Sequence, residues 1–120
     1  MLFNLWAKAL LLHILYNRGI VIMNLLEKIN SYNAVVYEII DYFSKTVPDD
    51  HHWGVPDEEH WNGFRDFVKC NEAGVMLEML CENIKDDLEI SIPNDIYNKL
   101  VDVRKYFGVS PEYWQDILHE

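Results

Sequence analysis

The side chains best suited to bind a metal lie in two runs, Asp49-Asp50-His51-His52-Trp53 and Asp57-Glu58-Glu59-His60-Trp61. Imidazole and carboxylate are donors that zinc and other transition metals accept. Their spacing argues against such a site. His51 and His52 are adjacent, so their rings diverge unless the backbone turns sharply. The chain also has no pair of histidines four residues apart, as an HExxH helix would need. The runs read as a solvated loop leading into an acidic helix start, and neither metal nor cofactor is expected.

Covalent chemistry has less to work with. Cys70 and Cys81 stand among Glu72, Glu78 and Glu82, whereas a reactive thiolate needs positive neighbours. No GxSxG elbow, glycine-rich phosphate loop or Walker signature is present. Carboxylates are plentiful, but on exposed helix faces they lack the apolar pocket that raises a catalytic pKa. The chain is expected not to be an enzyme. Both cysteines have apolar helical neighbours and are expected to be buried, reduced thiols. Two cysteines cannot form the disulfide framework of a small secreted domain.

Binding chemistry remains. Glu78, Glu82, Asp86 and Glu89 recur at helical spacing, with Lys85 the one base among them. Like charges four residues apart oppose each other by a few tenths of a kcal/mol, so a helix kept only for stability gains nothing from this stripe. Either the stripe is the solvated back of an amphipathic helix, or it presents carboxylates to a basic partner. Trp53, beside Asp49 and Asp50, adds an aromatic of the kind that anchors interfaces.

The elements that must carry these groups read as helices. From Met23 to about Lys45, apolar residues return every three or four positions (Leu25, Leu26, Ile29, Tyr32, Val36, Ile39, Ile40, Phe43). Pro48 ends that run, because a proline disfavours helix at the residue before it. Residues 47–56 have no period and form a loop. A helix starts at Pro56-Asp57-Glu58-Glu59, with carboxylates near the positive end of its dipole; its buried stripe is Trp61, Phe64, Phe67 and Val68. Asn71 and Gly74 mark a break. The next helix runs from Glu72 to about Leu88 and buries Ala73, Leu77, Leu80, Cys81, Ile84 and Leu88. Glu89-Ile90-Ser91-Ile92 alternates but is too short to found a sheet. A helix from Pro93 or Asn94 stops at Gly108, and Ser110-Pro111-Glu112 starts a last one. The expected fold is all-α, a compact single-domain bundle of five or six helices with at most a vestigial β element.

The first 22 residues differ from the rest. Lys8 and His13 interrupt the apolar stretch from Leu5 to Leu15, and Asn17-Arg18-Gly19 is expected to break it, short of the roughly 20 residues a spanning helix needs. Neither a basic start nor a small-x-small cleavage site makes it a signal peptide. The segment reads as an extra helix or as translated upstream sequence, with Met23 the preferred start, residues 23–120 the domain, and cytoplasm the default location.

Twenty acidic against ten basic residues give a formal charge of −10 on 120 residues. That field repels nucleic acid and anionic lipid, since phosphate binding requires Lys and Arg. A basic protein is the partner it would attract and steer.

Gly74-Val75-Met76-Leu77-Glu78-Met79-Leu80-Cys81-Glu82-Asn83-Ile84, then Asp86-Asp87, then Ile90-Ser91-Ile92-Pro93, then Phe107-Gly108-Val109-Ser110-Pro111-Glu112-Tyr113-Trp114, resembles the MafI-type immunity proteins. These small helical proteins protect bacteria from polymorphic or contact-dependent toxins. The likeness covers residues 72 to 114, about a third of the chain, and leaves out the acid–histidine loop and the first 22 residues. It implies a cognate basic nuclease toxin domain, often an RNase, bound one to one by a monomer in the cytoplasm. The expected toxin contacts are Asp49, Asp50, Trp53, Glu78, Glu82, Asp86, Asp87 and Glu89, with no nucleic acid and no membrane as partner. An acidic adaptor or antitoxin-like regulator of another basic protein is the alternative.

Overall fold

The computed structural model describes residues 2–47, 57–88, 91–117 and 119, with the side chains of residues 2–4 and 86–88 left out. Of the expected toxin contacts, Asp49, Asp50, Trp53 and Glu89 lie outside these residues, as do His51 and His52 of the histidine loop.

The architecture is all-α. Helices α1 (Leu2–Thr46), α2 (Asp57–Lys69), α3 (Ala73–Glu82) and α4 (Asn94–Phe107) follow in order; a π-helical turn, Asn83–Leu88, extends α3, and a 3₁₀ turn, Pro111–Tyr113, follows α4. An isolated parallel bridge between Ile92 and His119 is the vestigial β element. The described residues thus hold four α-helices where five or six were expected.

Two corrections account for the number. Helix α1 runs unbroken through Asn17-Arg18-Gly19. Glycine in a helix interior costs only about 1 kcal/mol relative to alanine, and no proline interrupts the hydrogen-bond ladder. The helix expected after Ser110 is a single 3₁₀ turn followed by further turns. Side-chain contacts hold it there: the Arg104 guanidinium lies 3.6 Å over the Trp114 ring, and Ile117 is buried.

Contacts divide the chain into Met1–Ser31 and Tyr32–Glu120. In the second unit one apolar core is assembled from Val36, Ile39, Ile40 and Phe43 of α1, Trp61, Phe64 and Val68 of α2, Ala73 to Cys81 of α3, and Ile96, Leu100 and Val103 of α4. No polar or charged residue of the described chain is buried. Ion pairs and stacking fix the rim. Arg65 donates to the Asp41 carboxylate at 2.8 Å, Lys99 pairs with Glu38 at 3.0 Å, and the Tyr32 and Tyr106 rings stack 4.0 Å apart. Such exposed pairs add little energy each; burial supplies most of the stability.

Punctuation residues act where their chemistry predicts. Asn71 takes a left-handed φ of 61° between α2 and α3, and Gly108 one of 71° at the end of α4, a conformation with little penalty for these two types. Gly74 sits inside α3, where it allows close approach: a Cβ there would lie 3.4 Å from the Phe107 carbonyl oxygen. Cys70 is exposed, contrary to expectation, while Cys81 is buried. By helical spacing Cys70 points away from the Trp61–Phe64–Val68 stripe.

The unit Met1–Ser31 is helical throughout. Its large apolar side chains from Leu5 to Leu26, including Leu12 at 67% and Tyr16 at 69%, are exposed.

Candidate protein-binding surface

Amphipathicity of α3 decides which of its groups can meet a partner. Ala73, Met76, Leu77, Leu80 and Cys81 point into the core. Glu82 and Val75 stay exposed, with Glu78 and Met79 half-buried beside them. Spacings of three and four residues place Val75, Glu78, Met79 and Glu82 side by side along this outer face. The expected acidic stripe therefore exists over Glu78 and Glu82. Asp86 and Asp87 fall in the π-helical turn. There the α-helical period ends, so alignment reckoned at 100° per residue does not extend to them.

Lys85 does not offset these acids as its sequence position suggests. Its Nζ donates to the Glu112 carbonyl at 3.1 Å and lies 3.8 Å from an Asp116 carboxylate oxygen. The cation is tied to the C-terminal turns. Close by, Glu78 above all, then partial burial, Glu112 and Glu82, hold the Tyr113 phenol above its ordinary pKa. Three carboxylates thus act on one phenol ring.

On the other flank of α3, α2 borders an open groove of about 710 Å³. Glu58, Glu59 and Asp66 line it together with Phe64, Phe67 and Met79. Met79 belongs both to this groove and to the outer face of α3. Gly63 contributes to the lining, and a Cβ there would meet nothing within 4 Å. At the groove's end the His60 ring rests against Trp61 and Phe64, at 4.8 and 4.7 Å between centroids. Its Nε2 lies 3.3 Å from the Asn83 amide.

Together these groups make one surface chemistry. Carboxylates of Glu58, Glu59, Glu78, Glu82 and Glu112 frame an apolar strip of Phe67, Met79 and Val75. Asp66 joins them, paired with Lys69 at a loose 3.9 Å. The arrangement suits Lys and Arg side chains whose stems lie on the apolar strip and whose heads meet carboxylates. Sequence reasoning missed Glu58, Glu59, Asp66, Glu112 and Tyr113 as contacts. The signal for the α2 groups was present: Glu58, Glu59, Asn62, Gly63 and Asp66 repeat at helical spacing, and a glycine inside that face leaves a groove.

Among the described residues no three His, Cys, Asp or Glu gather closely enough to hold a metal ion. The Cys81 thiol is pushed up to about 12, chiefly by burial, with Lys85 opposing and Glu78 and Glu82 adding. Such a thiol is inert as a nucleophile at neutral pH. No family model, curated protein or solved structure matches the chain.

Proposed function

We propose that the unit from Tyr32 onward is an immunity protein that neutralises a cognate basic nuclease, an RNase in the first instance, by binding it one to one. The observation that carries this reading is the framing of an apolar strip by carboxylates from α2, α3 and the turn after α4, with Lys85 tied elsewhere. A nuclease cleft is lined by cations that hold phosphates. A surface of fixed carboxylates can take the phosphates' place, and the formal charge of −10 steers the encounter. The resemblance of residues 72–114 to MafI-type immunity proteins supports the same reading. The chain itself needs no catalysis for this; occupancy of the cleft suffices.

Cells expressing the nuclease toxin encoded beside this chain's gene test it. Co-expression of the full chain restores growth, and the two proteins co-purify. If no toxin gene lies beside it, or the chain neither protects nor binds, the surface serves an adaptor or regulator of another basic protein instead.

A further inference from the structure

We propose that residues 5–26 of α1 span a lipid bilayer and tether the acidic domain to a membrane. The inference stands apart from the nuclease reading and rests on how apolar groups are distributed around the helix. Spaced at about 100° per residue, exposed Leu11, Leu12, Tyr16, Ile20, Val21 and Leu25 occupy every side of it. A second copy or another protein covers one stripe of a helix and leaves the rest in water. Lipid covers all sides at once.

Length agrees. Twenty-two residues at about 1.5 Å each span about 33 Å, against a hydrocarbon core of about 30 Å. The helix is apolar enough for the task, with a mean hydropathy of 1.5 in its candidate span and none of that span buried inside the protein. Its polar groups are manageable. Lys8 lies near one end, and Arg18 is eight residues from Leu26, so both long side chains can reach toward the interface. The Asn17 amide nitrogen and His13 Nε2 lie 3.1 Å apart and satisfy each other, as groups in hydrocarbon must. Trp6 sits near the N-terminal end, at a depth where such rings concentrate.

Charge separates this helix from the domain it carries. No acid precedes Glu27, and Met1–Ser31 holds Lys8, Arg18 and Lys28 against that one acid; the remainder holds seven bases and nineteen acids. An acidic domain alone is repelled by anionic lipid, whereas its N-terminal helix is not. Lys28 directly after the span places the domain on the cytoplasmic side by the positive-inside bias.

The test uses the full chain synthesised in the presence of vesicles of phosphatidylcholine and phosphatidylglycerol. Most of it is expected to float with the vesicles on a density gradient and to stay there after an alkaline carbonate wash. The variant carrying Leu12→Glu, Leu15→Glu and Val21→Glu is expected to lose flotation and keep the circular dichroism and melting behaviour of the domain, because those three side chains are exposed. The proposal is overturned if the wild-type chain stays soluble without lipid or detergent, as a monomer or as a helix-mediated oligomer. Release of the wild-type chain by carbonate overturns it equally, since a surface-bound helix is stripped and a spanning one is not.

Discussion

Helix α1 carries two kinds of apolar sequence on one continuous backbone. From Tyr32 onward its large apolar residues keep to one side, and Val36, Ile39, Ile40 and Phe43 are fully buried. Before Ser31 the apolar residues lie on all sides and are exposed. The contrast teaches that apolar content does not decide what a helix packs against. A stripe can be covered by three neighbouring helices, whereas a fully apolar cylinder requires a surrounding medium of its own kind.

The largest expected effects sharpen that contrast. Phe43→Ala removes a fully buried ring and should cost about 3–5 kcal/mol, lowering the melting midpoint of the domain by about 10 °C or more. Leu12→Ala, at an exposed site in the same helix, should change that midpoint by less than about half a kcal/mol. Equal losses in the two variants would break the comparison.

A second pair sets two glycines against each other. Gly74→Leu must push into the Phe107 backbone and should destabilise by about 1–3 kcal/mol, because a Cβ already lies at 3.4 Å. Gly63→Ala faces open space and should stabilise by about 0.5–1 kcal/mol through helix propensity. Chemical denaturation of both variants checks the signs.

The cysteines offer a kinetic comparison. Exposed Cys70 should react with iodoacetamide at the rate of an ordinary thiol, and Cys81 only as the domain opens. Burial favours the neutral form of Cys81, raising its pKa from 9.0 to about 12. Its contribution to stability is therefore complete below the ordinary thiol range and is lost as pH rises toward 12. Cys81→Ala should flatten the alkaline limb of a stability–pH curve. Smallest of all, Asp41→Ala breaks a half-exposed pair with Arg65 and should cost at most about 1 kcal/mol.

Much of the fold was legible because local chemistry set it. The acidic start of α2 at Asp57, the beginning of α4 after Pro93, its left-handed stop at Gly108 and the turn at Ser110-Pro111 follow from single residues. What was not legible depends on packing or on its absence. Asn17-Arg18-Gly19 reads as a break, yet no competing contact draws the chain out of helix there. Met76 is buried although α3 was expected to turn other residues inward. The candidate surface was half legible: Glu78 and Glu82 follow from periodicity, whereas the groove at Glu58, Glu59 and Asp66 exists only once α2 meets α3. Lys85's engagement with Glu112 and Asp116 spans a separation no local pattern reveals.

The most direct test of the proposed surface is a titration of the neighbouring-gene nuclease with wild-type chain and with Glu58→Lys/Glu82→Lys, each at low and high salt. Both side chains are exposed, so the fold should change by less than about half a kcal/mol. Wild-type binding should weaken as salt rises, through screening over a Debye length of about 8 Å at physiological ionic strength. The double variant should bind at least about tenfold more weakly, mainly through slower association, as like charges meet the nuclease's Lys and Arg. Equal affinity for both chains, with no salt dependence, would contradict the account and leave these carboxylates a solvated face.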